Sequence, residues 1–274
     1  MVMRKLMIIL AALAFAASAY AQELTILHLN DTHSHIDPIR SGEHTGKGGV
    51  VEQALYIDSV RQQDGKKNVL LLHAGDFSQG TSYFTELSGD IEIDVLNACW
   101  YDVVCLGNHE FDNGIDELAR RLADLKASAV CANYDFAGTP LEKLVKPYVI
   151  LKKAGLKIGV IGLLADVTSV VNADIAAQMT YLDPLEVANR LAAELKHEKK
   201  CDLVILLTHL GYDEEPYTDQ MLAPQTKDVD IIVGGHSHTK LKKEDRIRNL
   251  DGKDVIVVQD WKWGLTVGNL KVKL

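Results

Sequence analysis

The stretch VVCLGNHEFDNG, residues 103–114, joins a short apolar run to a dense group of polar side chains. Gly107 separates the run from Asn108, His109 and Asp112. This pattern is typical of a buried strand that ends in a sharp turn, because glycine permits both the turn and a close approach of backbone. The polar side chains then stand at the carboxyl end of the strand.

The same arrangement occurs four more times. The other clusters are Asn30 to His35 after LTILHL (24–29), Gly75 and Asp76 after VLLLH (69–73), Thr208 and His209 after LVILL (203–207), and Gly234 to His238 after 231–233. In a sheet of parallel strands the carboxyl ends share one edge, and ligand sites form there. Residues as far apart as Asp31 and His238 can therefore meet.

Apolar runs alternate with helical patterns along the whole chain. Further strands are predicted at 129–132, 158–163 and 255–258, and helices at 50–63, 114–126 and 183–198, the last with Asp183 as N-cap and Pro184 at its first position. This alternation predicts an α/β fold whose strands are buried on both faces. The polar segments 37–49 and 211–227 are expected to be loops near an active site.

The first residues read as a targeting segment. Arg4 and Lys5 precede an apolar stretch, and Ala19-Tyr20-Ala21 fits a cleavage site, so 1–21 is predicted to be a signal peptide. The apolar stretch is shorter than the ~20 residues of a spanning helix, so no membrane attachment is expected after cleavage. The protein is then exported, to the periplasm or the cell exterior.

The formal charge of −9 over 274 residues argues against binding to a nucleic-acid polymer, which needs clustered Lys and Arg. The four cysteines form no CxxC pair and are expected to be buried. Trp100, Trp261 and Trp263 are expected to pack in the core or an interface.

Seven side chains in the polar clusters are candidate metal ligands. They are Asp31, His33, Asp76, Asn108, His209, His236 and His238. Carboxylate, amide and imidazole donors without a thiolate suit Zn²⁺, Mn²⁺, Fe²⁺ or Co²⁺. One ion normally takes three or four ligands, so seven candidates indicate two ions that share a carboxylate. Paired ions about 3.5–4 Å apart are a recurrent arrangement for phosphate ester hydrolysis.

A reaction follows from this chemistry. A water between two cations loses a proton near neutral pH and becomes a hydroxide nucleophile. His109 can protonate the leaving alkoxide, and Asp112 can hold the imidazole in the required form. His28 and His73 are expected in the core or behind the ligands. His35, His44 and His197 are not expected to bind metal, although His35 can line the cleft.

The ordered motifs resemble those of the calcineurin-like metallophosphoesterases. They are DTH (31–33), GD (75–76), GNHE (107–110), TH (208–209) and GHSH (235–238). The longer stretches LTILHLNDTHSH, GDFSQGT, GNHEFDNG, GGHSHT and VVQDWKWG are similar to the catalytic domain of the 5′-nucleotidase family. The resemblance implies a four-layer αββα sandwich of two mixed β-sheets flanked by helices, formed by a single catalytic domain over 22–274.

The resemblance also implies roles for individual residues. Asp31, His33, Asp76 and His238 would hold one metal, and Asp76, Asn108, His209 and His236 the other. His109 and Asp112 would form the catalytic dyad. The substrate would be a small phosphorylated molecule, above all a nucleotide, and the reaction phosphomonoester hydrolysis.

Members of the family usually continue into a second domain that supplies nucleotide specificity, and the resemblance leads us to expect that this domain is absent here. A separate chain would then supply it, or the substrate would be recognised in another way. The alternatives left open are a phosphodiesterase for cyclic nucleotides or nucleotide sugars, a sulfur-ester hydrolase, and a catalytic subunit that works only with a partner chain.

Overall fold

The computed structural model describes residues 23–213 and 217–273. The predicted signal peptide, 1–21, lies outside the described residues, so its assignment stays a prediction. Among the described residues, no helix combines the length and the apolar character needed to cross a bilayer.

The strands and helices follow one another in the order that the sequence pattern predicts. The strands are β1 (Glu23–Leu29), β2 (Val69–His73), β3 (Val103–Cys105), β4 (Ser128–Val130), β5 (Tyr134–Asp135), β6 (Val145–Lys146), β7 (Tyr148–Lys153), β8 (Leu156–Leu164), β9 (Thr180–Tyr181), β10 (Leu203–His209), β11 (Ile231–Gly234), β12 (Asp245–Arg248), β13 (Asp254–Gln259) and β14 (Gly268–Lys273). The helices are α1 (Val50–Asp64), α2 (Ser82–Leu87), α3 (Asp90–Ala98), α4 (Ile115–Asp124), α5 (Ala173–Ala176), α6 (Pro184–Ala193) and α7 (Asp219–Leu222).

The strands form two large mixed sheets. In the first sheet β1, β2, β3, β4 and β6 run parallel, and β14 pairs antiparallel with β1 at the edge. In the second sheet β8, β10, β11 and β13 run parallel, with β7 and β12 antiparallel at the two edges. A short ribbon of β5 and β9 lies apart from both sheets.

Alternate residues of the central strands pack into different layers. Leu72 belongs to a core shared by the two sheets, together with Ile205 of β10. Its neighbour Leu71 packs instead with residues of α1, α3 and α4 on the outer face of the first sheet. On the outer face of the second sheet, Leu206 packs with residues of α6. Since successive side chains of a strand point to opposite faces, each sheet is buried on both sides, and the four-layer αββα sandwich is confirmed.

The predicted helix over 183–198 forms with the expected start. The Asp183 side chain accepts a hydrogen bond from Glu186 N at 2.9 Å, and Pro184 occupies the first turn. The α-helical part ends at Ala193 and continues as a π-helical turn to Glu198. The sequence patterns did not predict α2, α3 or the edge strands. β12, with the sequence DRIR, is mostly charged and exposes both of its arginines, as solvent-facing edge strands do.

The cysteines and tryptophans test two further expectations. Cys99, Cys105, Cys131 and Cys201 are all free and buried, as expected for small apolar side chains. Trp100 is 70% exposed, so it does not pack in the core; its other expected position, in an interface, stays a prediction.

Candidate metal centre

The seven candidate ligands follow the carboxyl ends of five strands. Asp31 and His33 follow β1, Asp76 follows β2, Asn108 follows β3, His209 ends β10, and His236 and His238 follow β11. β1, β2 and β3 belong to the first sheet, whereas β10 and β11 belong to the second. The centre therefore lies where the carboxyl edges of the two packed sheets adjoin.

The donor atoms gather in two adjacent groups. The first group is Asp31, His33 and His238, and the second is Asp76, His209 and His236. Within each group the donor atoms lie within 4.8 Å of one another. His33 and Asp76 form a further group with His109, which joins the two. The structure thus brings together residues that are far apart in the sequence, such as Asp31 after β1 and His238 after β11.

Several donor atoms of the candidate ligands converge. His33 Nε2 lies 3.0 Å from His238 Nε2, and His238 Nε2 lies 3.4 Å from Asp31 Oδ1. Asn108 Oδ1 is buried and has no hydrogen-bond partner among the described residues. A bound cation satisfies converging imidazole and carboxylate donors and an unpartnered buried acceptor, so the donor set fits a metal centre.

His209, like Asp31, is a fully buried candidate ligand. Its Nδ1 lies 2.7 Å from the carbonyl oxygen of Ala74, to which it donates, and this fixes the tautomer that directs Nε2 towards Asp76. Burial lowers the pKa of His209, but the charges of Asp76 and Asp31 outweigh burial and raise the pKa to about 10. The field of these two carboxylates favours positive charge at the centre, whether a proton or a metal ion carries it.

The backbone of the ligand loops adopts an uncommon conformation. Asp31, His33, Asp76, His236 and His238 all have left-handed φ, between 48° and 77°. Residues with a Cβ rarely take this conformation, and each one costs about 1–3 kcal/mol that the surrounding structure must offset. Gly75, with φ 87°, shares it, and a Cβ there would meet His209 Nδ1 at 2.6 Å.

Hydrogen bonds from other loops hold Asp31 in place. Its carboxylate accepts from Asn30 Nδ2 at 2.6 Å and from the backbone N–H of His236 at 3.0 Å. Asn30 in turn accepts from Asp260 N at 2.9 Å and donates to Trp261 O at 2.6 Å. The loop after β13 therefore positions a candidate ligand that follows β1.

Glu110 supports the centre in a way that the sequence reasoning missed. Its carboxylate accepts from the backbone N–H groups of Gly107 at 2.6 Å, Asp76 at 2.9 Å and Ser78 at 3.0 Å. Burial and the charge of Asp76 raise the pKa of Glu110 to about 7, although the N–H groups of Ser78 and Gly107 lower it. The available signal was its spacing, since an acid three residues after a turn glycine can bond back to that glycine's N–H.

Arg121 completes this support from helix α4. Its guanidinium donates to the carbonyl oxygen of Glu110 and to Ser78 Oγ, both at 2.9 Å, and the side chain is buried. An arginine within the amphipathic pattern of 114–126 is ordinarily part of a solvated face. The sequence gives no local sign of this buried contact, because its partners lie in other loops.

His109 and Asp112 lie at the open side of the centre. His109 Nδ1 is 2.9 Å from Asp112 Oδ2, and the hydrogen bond raises the pKa of His109 against the effect of burial. The backbone N–H of His109 donates to Asp76 Oδ1 at 3.0 Å. The ring centroid lies 5.3 Å from that of His33. The imidazole is thus tied to the candidate ligands through backbone while its ring stays accessible.

A cavity of about 670 Å³ opens over the centre. Its walls include His35, Gln79, Val170 and Trp263 in addition to candidate ligands and His109. His35 stacks on Trp263 with ring centroids 4.9 Å apart, and its Nδ1 contacts the carbonyl oxygen of His33 at 2.8 Å. The expectation that His35 lines the cleft is therefore confirmed, and Trp263 lines the cleft rather than the core.

The remaining histidines lie outside the donor groups. His28 and His73 are buried in strands, and His73 Nε2 contacts Thr32 Oγ1 at 3.1 Å behind the first ligand loop. His44 packs edge-on against Trp261, and His197 contacts Asp228.

Comparison with known proteins identifies relatives over nearly the whole described chain. The family model described as calcineurin-like phosphoesterase matches residues 24–240. A probable 5′-nucleotidase of Treponema pallidum is 32% identical over 91% of this chain, which corresponds to 45% of that protein. The chain spans about half the length of the curated relatives it matches.

Solved structures give the same result. A 5′-nucleotidase precursor from Thermus thermophilus has a TM-score of 0.81 and 37% identity over 92% of this chain and 51% of its own. The NAD nucleotidase of Haemophilus influenzae also has a TM-score of 0.81, with 31% identity over 92% of this chain and 47% of its own. The structural similarity extends over 92% of this chain in both cases, so these structures share the αββα architecture described above.

Proposed function

The chain belongs to the calcineurin-like phosphoesterase family, and from that premise we propose that it hydrolyses phosphomonoesters in the manner of a 5′-nucleotidase. Membership makes it a metal-dependent phosphoester hydrolase. The names of the relatives support a nucleotide as substrate. The observation that carries the proposal is the pair of adjacent donor groups with His109, held by Asp112, at their open side.

Two divalent ions fit the donor set. In the proposed arrangement Asp31, His33, Asp76 and His238 hold one ion, and Asp76, Asn108, His209 and His236 hold the other. Such ions supply activation of a water nucleophile and neutralisation of charge on the phosphate oxygens. Asp76 is placed to serve both, because it lies with His33 in one group of donors and with His209 in another.

His109 carries the proton in this proposal. Its Nδ1 is engaged by Asp112, so Nε2 is the nitrogen left to donate a proton to the departing alkoxide oxygen. The carboxylate of Asp112 favours the protonated imidazole, because its hydrogen bond raises the pKa of His109. A proton supplied to a poor leaving group contributes about 10²–10⁴ in rate.

The substrate test compares a monoester with a diester. Purified protein is incubated with Mn²⁺ or Zn²⁺ and with AMP, p-nitrophenyl phosphate or bis(p-nitrophenyl) phosphate, and product release is followed. We expect turnover of both monoesters and little of the diester. Preference for the diester would replace the proposal with a phosphodiesterase. Failure to hydrolyse any phosphate ester, with metal bound, would leave the sulfur-ester and partner-dependent alternatives.

A partner chain that carries a substrate-binding domain belongs to the same proposal. The relatives that match are about twice the length of the matched region, which supports a second substrate-binding unit in their case. The test is the AMP assay with the purified chain alone. Full turnover without any addition would remove the requirement for a partner.

Export is proposed from residues 1–21 alone. A basic start, an apolar stretch and Ala19-Tyr20-Ala21 support cleavage after Ala21. Amino-terminal sequencing of the protein recovered outside the cytoplasm should begin at Gln22. Recovery of the intact chain in the cytoplasm would overturn the assignment.

A further inference from the structure

A second cavity adjoins the one that opens over the metal centre. Its volume is about 370 Å³, within the range of small-molecule sites. Its lining includes Asp166, Ser169, Val170, Tyr181, Tyr217 and His236. Val170 and His236 line both cavities, so the two are adjacent. The second cavity is therefore within reach of the alcohol portion of a phosphate ester bound at the metal centre.

The aromatic walls of this second cavity are fixed before any ligand binds. The Tyr217 hydroxyl donates to Asp183 Oδ2 at 2.8 Å, and the Tyr181 ring packs on Tyr134 with centroids 5.2 Å apart. Tyr217 is 42% exposed and Val170 is 54% exposed. A ring that is already held in place and is open to solvent can stack on a ligand without a further loss of side-chain conformational entropy.

The charges of the second cavity select against anions. Asp166 is its acidic residue, and no Lys or Arg occurs among the described residues that line it. Asp166 Oδ1 accepts from Thr168 N at 3.0 Å, so Oδ2 is free to accept from a hydroxyl or amino group. A second phosphate brought next to this carboxylate would be repelled, whereas an uncharged hydroxylated group would find an acceptor.

A third cavity, which also adjoins the metal cavity, offers a less favourable aromatic surface. It shares His35 and Trp263 with the metal cavity and also contains Tyr83. The Trp263 ring is already stacked with His35. Among the described rings none stacks on Tyr217 or on Tyr83, but Tyr217 is exposed whereas Tyr83 is half-buried. The cavity with Tyr83 is also lined by Arg40, which would attract an anion.

We propose that the cavity lined by Tyr181, Tyr217 and Asp166 is the subsite for the leaving group, and that it takes an uncharged, hydroxylated alcohol with a flat ring. A nucleoside meets this description, whereas a nucleotide leaving group with a further phosphate does not. Tyr217 is then a specificity-determining residue within the family domain itself. The inference rests on the proposed monoesterase function, because it concerns the alcohol portion of that substrate.

The experiment compares two monoesters that differ in the ring. kcat/KM is measured for AMP and for ribose 5-phosphate, which lacks the base, in the wild type and in Tyr217→Ala. Stacking on a base is worth about ten-fold or somewhat more, so Tyr217→Ala should lower kcat/KM for AMP by about ten-fold, mainly through KM. The value for ribose 5-phosphate should stay within about two-fold. Tyr217→Phe keeps the ring and should retain most of the AMP preference.

Tyr83→Ala is the matched control, because Tyr83 also bonds an aspartate, Asp37, and lines the other cavity. It should leave both substrates unchanged. The inference is overturned if Tyr217→Ala lowers both substrates equally or neither, or if Tyr83→Ala lowers AMP as much. In those cases monoester turnover by the wild type would still stand. A wild type that hydrolyses neither ester would instead overturn the proposed function.

A charge variant tests the exclusion of a second phosphate. Asp166→Asn keeps the acceptor for Thr168 N but removes the charge. We expect kcat/KM for ADP, relative to AMP, to rise by about two- to five-fold, the size of an exposed charge interaction. An unchanged ratio would remove Asp166 from the proposed selectivity.

Discussion

The inner and outer halves of the candidate metal centre differ in burial and in support. Asp31 and His209 are fully buried and Asp76 nearly so, and backbone amides or carbonyls engage each of them. On the outer side the side chains of His109 and His238 are each 32% exposed. In the proposed function this difference corresponds to two tasks: the inner half would hold the positive charge and keep its geometry, whereas the outer half would contact the substrate.

Loss of a charge in the inner half should have the largest effect. Asp76→Asn is expected to remove metal from both proposed sites and to lower kcat/KM by about 10⁴-fold or more, because the ions contribute several kcal/mol to the transition state. Elemental analysis and phosphate release measure both outcomes. Asp124→Asn, an exposed aspartate at the end of α4, is the control. Normal metal content with a normal rate would mean that the inner half does not hold the ions.

His109→Asn probes the outer half. It should leave metal content unchanged and lower kcat by about 10²–10⁴ for alkyl phosphates, because the leaving alkoxide loses its proton donor. p-Nitrophenyl phosphate should lose less, since its leaving group is stable without a proton. If kcat falls equally on both substrates, or if metal is lost, His109 has a structural role. The proposed difference between the inner and outer halves would then not hold for this residue.

Glu110→Gln tests the support behind the inner half. An amide can still accept a hydrogen bond, but its NH₂ group would face backbone N–H groups that also donate. We expect metal affinity to fall by about 10–100-fold, as for other changes behind metal ligands, together with a lower Tm. Glu117→Gln is the matched control, because this half-buried glutamate of α4 pairs with Arg120 and makes no hydrogen bond to the Asp76 loop among the described residues. Unchanged metal affinity would show that the Asp76 loop keeps its conformation without the carboxylate of Glu110.

Asp112→Asn should have the smallest effect of the series. His109 acts as an acid only when protonated, so activity falls as pH rises through the pKa of His109. The bond to Asp112 is the main cause that raises this pKa. Its loss should therefore move the alkaline limb of the rate profile to lower pH and reduce kcat at neutral pH by about ten-fold. If the alkaline limb does not move in Asp112→Asn, the group that titrates there is not His109.

The sequence predicted the candidate ligands of the inner half better than the residues that support them, Glu110 and Arg121. Apolar runs that end in Gly, Asp, Asn or His locate the ligand loops, because the carboxyl ends of parallel strands share an edge. Periodicity within one segment does not reveal pairing between segments. It could not show that β3 and β10 lie in different sheets, or that Arg121 reaches Glu110. Contacts between residues far apart in sequence depend on how the layers pack, which no local pattern records.

The short and exposed parts of the chain were the hardest to predict. α2 and α3 together span 82–98, where no long apolar period marks a helix, and β12 is charged on its exposed face. The second cavity joins residues near 166–170 and 181 to Tyr217, which lie in loops and a two-residue strand. The strong sequence patterns mark the metal centre, while the surface that would recognise the leaving group carries none.

The most direct test of the account is the metal content of active protein together with its response to chelation. We predict close to two divalent transition ions per chain by elemental analysis, full loss of monoester hydrolysis after EDTA and dialysis, and recovery when Mn²⁺ or Zn²⁺ is returned. Active protein that contains no such ion, and keeps its rate in EDTA, would contradict the account.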